Sequence, residues 1–75
     1  MAMNYGYNFA EVDDATGMCI GFLSTSDPSE EGSTGNGTTY VLVPVNDPEY
    51  IFKYYINGNW YEDAEGTIPW QSSLL

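Results

Sequence analysis

The chain has 75 residues, with eleven acidic side chains against one lysine, one cysteine and no histidine, and its net charge is −10. Nucleic-acid binding depends on lysine and arginine contacts to phosphate, so this charge argues against nucleic acid as a partner and equally against anionic membranes. The absence of histidine excludes a Ser–His or Cys–His nucleophile and a zinc site of the usual Cys/His kind. We therefore expect a protein that is not an enzyme and holds no cofactor.

The small size of the chain raises the question of what stabilises it. A domain of this length buries only about 60% of the surface that its unfolded chain exposes, and small domains usually rely on disulfides, a metal or oligomerisation. A single cysteine, Cys19, cannot form a disulfide within the chain. Oligomerisation or docking into a larger assembly is the remaining expectation. No run approaches 18 apolar residues, and the N-terminus lacks the basic segment of a signal peptide.

The first two predicted elements form a hairpin. Residues 4–12 alternate aromatic and small or polar side chains, which predicts a half-buried strand. Residues 13–17 are a turn cluster, and residues 18–23 are the second strand. The glycines inside these strands indicate β-bulges or close approach by a ring from a neighbouring strand. Cys19 is expected to be a small buried hydrophobe on the second strand.

The middle of the chain contains a polar stretch and a third strand. Residues 24–38 lack apolar side chains and are expected to form a flexible, solvated loop, of a length that often indicates contact outside the domain. Residues 39–45 are a nearly continuous β-branched run, which predicts a buried strand. Pro44 cannot donate to a ladder, so it indicates a sheet edge or the end of that strand. Residues 46–49 form a turn.

The segment Tyr50–Asp63 predicts a hairpin closed by Asn57 and Gly58, the residue pair that a type I′ turn favours. A two-residue loop fixes the register, which places Tyr55 opposite Trp60 at a site where side chains lie close together. Because a free hairpin is marginally stable in water, at least one of its faces must be covered by this chain or another.

The predicted register also divides the remaining side chains of this hairpin. Lys53 lies opposite Glu62 as a surface ion pair, and Phe52 lies opposite Asp63. One face carries Ile51, Lys53, Tyr55, Trp60 and Glu62, and the other carries Tyr50, Phe52, Tyr54, Ile56 and Tyr61.

Together these elements predict an all-β fold. We expect a small antiparallel meander of about five strands, two hairpins plus a middle strand, as an open sheet or a partial barrel. Residues 1–64 would form the single domain, and residues 65–75 a C-terminal tail that docks on a partner. The candidate partner-binding residues are Tyr55, Trp60, Ile68, Pro69, Trp70, Leu74 and Leu75.

The aromatic and the acidic side chains each allow more than one interpretation of their role. The seven tyrosines, three phenylalanines and two tryptophans fit a core, a protein–protein interface or a platform for stacking sugars. The acidic loops at residues 13–17 and 62–66 could supply oxygens to a calcium site, but neither matches the D-x-D-x-D-G loop pattern. Acidic residues in turns usually accept hydrogen bonds within the turn. An array of acids could also imitate nucleic acid, although these acids sit mostly in loops and at strand ends.

Several short patterns resemble a known group of proteins. They are Tyr5-x-Tyr7, Thr16-Gly17-x-Cys19, the Tyr-Val-x-Val-Pro run at residues 40–44, and Tyr50-Ile51-x-Lys53-Tyr54-Tyr55-x-Asn57-Gly58-x-Trp60-Tyr61. This pattern resembles small proteins encoded among the tail and structural genes of tailed bacteriophages. The closing KYYINGNWYEDAEGTIPW is similar to segments at the ends of phage tail or tail-fibre proteins. The resemblance implies a virion structural role in repeated copies and supplies no catalytic residue.

Three hypotheses about function follow. The first is a virion structural or accessory protein, assembled in the host cytoplasm, that packs on a larger tail or capsid protein or forms a homo-oligomer. The second is an acidic inhibitor or DNA mimic that acts on a host DNA-binding protein. The third is a glycan-binding tip module.

Overall fold

A computed structural model describes residues 6–75 of the chain. Within them, six strands form two open antiparallel sheets, which confirms the all-β fold class. The strands are β1 (Tyr7–Asp13), β2 (Cys19–Thr25), β3 (Gly32–Ser33), β4 (Thr38–Val43), β5 (Tyr54–Ile56) and β6 (Asn59–Tyr61). Two short 3₁₀ helices span Pro28–Glu30 and Pro48–Tyr50.

The larger sheet is built around β1, in the order β2-β1-β4-β3. Successive strand residues point to opposite faces, and β1 buries Phe9 on one face and Ala10 and Val12 on the other. Both faces of β1 are therefore covered, and its two edges pair with β2 and β4. The order therefore differs from a simple meander, because β4 pairs with β1 and not with β2.

A bulge interrupts the pairing of β1 with β2. Glu11 pairs with Gly21 but Val12 pairs with Cys19, so Ile20 is an extra residue on β2. The predicted bulge at the glycine of the second strand is confirmed, and the close approach there comes from a carboxylate and not from a ring: a Cβ on Gly21 would lie 3.1 Å from Glu11 Oε1. The predicted start of the first strand, residues 4–5, lies outside the described residues.

Residues 24–38 contain more regular structure than we expected. The segment begins inside β2, continues through the first 3₁₀ helix and β3, and ends at the first residue of β4. Polar side chains order it locally: the Asp27 carboxylate accepts hydrogen bonds from the backbone N–H and the hydroxyl of Ser29 at 2.9 and 2.7 Å. Thr34 and Thr38 share a hydroxyl contact of 2.8 Å. A stretch without apolar side chains can thus be ordered by its own hydrogen bonds.

The smaller sheet is the predicted hairpin with its predicted register. Tyr54 pairs with Tyr61, Tyr55 with Trp60 and Ile56 with Asn59. Positive φ angles at both loop residues, 51° at Asn57 and 85° at Gly58, confirm the type I′ turn.

The strand pairing ends at Tyr54–Tyr61, so the predicted pairs Lys53–Glu62 and Phe52–Asp63 are wrong. The chain before Tyr54 is not a strand, because the second 3₁₀ helix runs directly into a turn in which Lys53 N–H donates to Tyr50 O at 3.0 Å. The Lys53 ammonium lies over the Trp70 ring instead, 5.2 Å from its centroid.

Backbone hydrogen bonds join the hairpin to the start of β2. Cys19 N–H donates to Lys53 O at 2.8 Å, Phe52 N–H donates to Cys19 O at 2.7 Å, and Tyr55 N–H donates to Gly17 O at 2.8 Å. Cys19 is fully buried as predicted, and this burial raises the pKa of its thiol. The core under the hairpin consists of Ala10, Cys19, Val43 and Tyr50, with Phe22, Val45, Ile51, Trp60 and Trp70 packed against it.

The C-terminal segment, residues 65–75, packs on the protein's own hairpin. Ile68 O accepts from Glu62 N–H and Trp60 O accepts from Trp70 N–H, both at 2.9 Å. These bonds satisfy the outer edge of β6. Docking of this segment on a partner stays a prediction, and it can use only the side chains that the hairpin leaves exposed.

Candidate binding site

The ring of Tyr50 is the centre of an aromatic cluster. Its side chain is 2% exposed, and the rings of Trp60 and Trp70 each meet it edge-on with centroids 4.9 Å away. Phe22 stacks on it from the large sheet at 6.1 Å. Such aromatic pairs each contribute about 0.5–1.5 kcal/mol beyond their buried area. Burial, and then the nearby charge of Asp47, raise the pKa of the Tyr50 phenol.

Asp47 positions this cluster from two sides. One carboxylate oxygen caps the second 3₁₀ helix by accepting from Glu49 N–H at 2.9 Å, and the other accepts a short hydrogen bond from the Ser72 hydroxyl. The Ser72 oxygen in turn accepts from Leu74 N–H at 3.1 Å. Asp47 and Ser72 are 2% and 3% exposed. A single buried carboxylate therefore ties the turn that carries Tyr50 to the C-terminal segment that carries Trp70.

A pocket of about 250 Å³ opens between the hairpin turn and the C-terminal segment; we call it the tryptophan pocket. Its lining combines aromatic rings with amide and hydroxyl groups and contains no charged side chain. The lining residues are Pro44, Tyr50, Gly58, Asn59, Trp60, Trp70, Gln71, Ser72 and Leu75.

The structure brings together three of the predicted partner-binding residues at this pocket: Trp60, Trp70 and Leu75. The two tryptophans are half-buried, because each ring packs on Tyr50. Tyr55 is also half-buried; its ring lies 5.0 Å from that of Trp60, but it does not line the pocket.

The other predicted residues lie on the surface. Ile68, Leu74 and Leu75 are 52%, 59% and 61% exposed, and Pro69 is exposed next to its backbone partner Tyr61. Sequence reasoning missed the pocket residues Asn59, Gln71 and Ser72. Nothing in the local sequence marks them, because their proximity depends on the return of the C-terminal segment to the hairpin.

The acidic loops use their carboxylates within turns. Asp13 Oδ2 accepts from the backbone N–H and the hydroxyl of Thr16 at 3.0 and 2.8 Å. Asp63 accepts from the Thr67 hydroxyl and from Ile68 N–H, and these hydrogen bonds lower the pKa of its carboxyl. In the part of the chain that the structure describes, no group of three or more acidic, cysteine or histidine side chains is placed to hold a metal ion. These two carboxylates therefore fit the turn interpretation.

No family model, curated protein or solved structure that we compared with this chain matches it. Among residues 6–75, no helix is both long and apolar enough to cross a bilayer. The geometry of the aromatic cluster, the tryptophan pocket and the exposed C-terminal side chains is therefore the basis for a functional proposal.

Proposed function

We propose that this protein is a virion structural or accessory protein of a tailed phage, a non-enzymatic β module that packs on a larger tail or capsid protein or self-associates. Its contact surface is the C-terminal apolar patch, which consists of Ile68, Pro69, Leu74 and Leu75. The phage assignment rests on the resemblance of the segment 50–70 and its flanking patterns to phage tail proteins.

The exposure of large aliphatic side chains in an ordered segment carries this proposal. Ile68, Leu74 and Leu75 each expose more than half of their surface, at 52%, 59% and 61%. Removing apolar surface from water is worth about 25 cal/mol per Å², so covering these side chains favours association. Several large apolar side chains exposed on one short segment fit an interaction surface better than a single exposed one does.

The backbone of the patch is already fixed before any partner binds. Ile68 O accepts from Glu62 N–H directly after β6, and Trp70 N–H donates to Trp60 O within β6. Leu74 N–H donates to the Ser72 hydroxyl. A preordered segment loses less conformational entropy on association, so more of its apolar burial appears as affinity.

The net charge of −10 bears on the choice of partner. Like charges repel at long range, which opposes indiscriminate self-association, and an acidic surface favours encounter with a basic one. The partner surface that fits best is apolar where it meets the patch and basic around it.

Sedimentation of the purified chain and analysis of phage particles test this proposal together. We expect either a defined oligomer or a monomer that co-sediments with one tail or capsid protein encoded beside it, and peptides of this chain in purified particles of a phage that carries its gene. A double variant, Ile68→Ser with Leu74→Ser, should abolish the association. The control Leu42→Ser removes a side chain that is 46% exposed on β4 and should not affect it. A monomer that binds none of those proteins and is absent from the particles would exclude the proposal.

A further inference from the structure

We propose that the tryptophan pocket binds a neutral pyranose sugar, as one residue of a larger glycan. This inference goes beyond the proposed structural role and does not depend on it, because it concerns the concave site, which shares only Leu75 with the C-terminal apolar patch.

The size of the pocket limits the ligand to about one ring. Clefts that hold drug-sized molecules occupy about 300–1,000 Å³, and this pocket measures about 250 Å³. Five of its nine lining residues are solvent-exposed, so the pocket can be entered from outside; they are Pro44, Gly58, Asn59, Gln71 and Leu75.

The lining of the pocket selects against charged ligands. None of the nine lining side chains is charged, so a charged group placed there would lose hydration without an ion-pair partner in the lining itself. The chain as a whole, at −10, repels anions as they approach. A neutral ligand is therefore favoured.

The lining also matches a molecule with an apolar face and a polar edge. Trp60 and Trp70 supply aromatic surface, while the amides of Asn59 and Gln71 can each donate and accept hydrogen bonds. The Asn59 amide makes one long bond, 3.4 Å to Asn57 O, which leaves most of its capacity for a ligand. A pyranose presents C–H groups on its ring face and hydroxyls around its rim, which is this pattern.

A peptide is the main competitor for an aromatic pocket, and the fold disfavours one common way of binding it. An extended peptide would add to the edge of β6, but that edge already pairs with the chain's own C-terminal segment: Trp60 O accepts from Trp70 N–H, and Tyr61 bridges to Pro69. A proline-rich peptide needs no such edge, so the experiment includes one.

Packing and a buried hydrogen bond hold two aromatic walls of the pocket in place. The two indoles are each held edge-on against Tyr50 at 4.9 Å, and the Asp47–Ser72 hydrogen bond fixes the segment between Trp70 and Leu75. A preorganised site loses little entropy on binding, which matters for a ligand that offers few contacts.

The test is to titrate the full chain with methyl pyranosides of glucose, galactose, mannose and N-acetylglucosamine, and with their oligosaccharides. Binding is monitored by changes in the ¹⁵N–¹H spectrum of the protein. We expect saturable shifts confined to Gly58–Trp60 and Trp70–Ser72. Asn59→Ala and Gln71→Ala should each weaken binding about five- to tenfold, the effect of losing one hydrogen bond. Asn36→Ala, which removes an exposed amide from a loop outside the pocket, is the control.

Parallel titrations with an oligoproline peptide and with a uronic acid separate the competing ligands. Pocket shifts with a neutral pyranoside that both pocket variants weaken support the inference. Absence of pocket shifts with every neutral pyranoside at roughly tens of millimolar, or tighter binding of the peptide or the acid, overturns it. Gln71→Ala should leave sedimentation unchanged, so failure of this inference is distinguishable from failure of the proposed association.

Discussion

Asp47 accepts a hydrogen bond from the hydroxyl of Ser72, 25 residues further along the chain, where both side chains are almost fully buried. The same carboxylate caps the second 3₁₀ helix, and the same hydroxyl accepts from Leu74 N–H. This pair joins the turn before the hairpin to the last residues of the chain. Because Tyr50 and Trp70 lie on the two segments that this pair joins, we expect it to hold their rings in contact.

We expect Ser72→Ala to lower the free energy of unfolding by about 1–3 kcal/mol, since it leaves a buried carboxylate oxygen and the Leu74 N–H without their partner. Urea denaturation measures the loss, and amide hydrogen exchange at Leu74 should become faster. Ser73→Ala, at the exposed neighbouring position, is the matched control and should change stability by less than about 0.5 kcal/mol. Equal effects of the two substitutions would show that the hydrogen bond does not hold the segment.

Phe52 occupies a backbone position that suits glycine. It is the third residue of a type II turn: Ile51 has φ −62° and ψ 130°, Phe52 has φ 79°, and Lys53 N–H closes the turn on Tyr50 O. The Phe52 side chain is 69% exposed, so its burial does not offset the strain.

We therefore expect Phe52→Gly to be more stable than Phe52→Ala by about 1 kcal/mol, because both remove the ring but only glycine relieves the positive φ. Thermal and urea unfolding of the two variants measure the difference. A more stable alanine variant would mean that the left-handed backbone costs nothing there.

The residues that sequence predicts well are those with short-range signals. Asn57-Gly58 determines the register of the hairpin, and the alternation of residues 7–12 produces the central strand. Sequence reasoning fails where two local signals compete for the same residues, or where a contact joins residues that are far apart in the chain. The aromatic run beginning at Tyr50 predicts a strand, but the cap formed by Asp47 and Pro48 directs it into a 3₁₀ turn instead. No local pattern could place Ser72 beside Asp47 or the C-terminal segment beside the hairpin turn, so the pocket was not predictable.

Gly66 combines a left-handed backbone with crowding. Its φ is +70°, and an added Cβ would lie 3.2 Å from Ile56 Cδ1. Gly35 has a similar φ of +82° but nothing within 4 Å. Gly35→Ala should cost about 1–2 kcal/mol of unfolding free energy from the backbone alone, and Gly66→Ala about 1 kcal/mol more from displaced packing. Chemical denaturation of both variants separates the two causes, and equal losses would show that Ile56 moves aside without cost.

The lowered pKa of the Asp63 carboxyl determines how this residue contributes to stability at acidic pH. The hydroxyl of Thr67, followed by Ile68 N–H, holds the pKa of the Asp63 carboxyl below its ordinary value of 3.8. Because the folded pKa is lower than the unfolded one, the charged carboxylate stabilises the fold above the unfolded pKa, and this contribution is lost as pH falls through the folded pKa. Thr67→Val should raise the carboxyl pKa toward 3.8 and flatten the acid limb of the stability curve.

Carbon-detected NMR titration of the Asp63 carboxyl measures this shift directly, and urea denaturation between about pH 2 and 6 measures its effect on stability. Thr25→Val is a suitable control, because the Thr25 hydroxyl accepts from Asp27 N–H at 3.1 Å and makes no contact with an acidic oxygen. It should leave the Asp63 midpoint unchanged. If the Asp63 midpoint is the same in the Thr67 variant as in the wild type, the hydroxyl does not lower it, and the turn at residues 63–68 is held by its backbone hydrogen bonds instead.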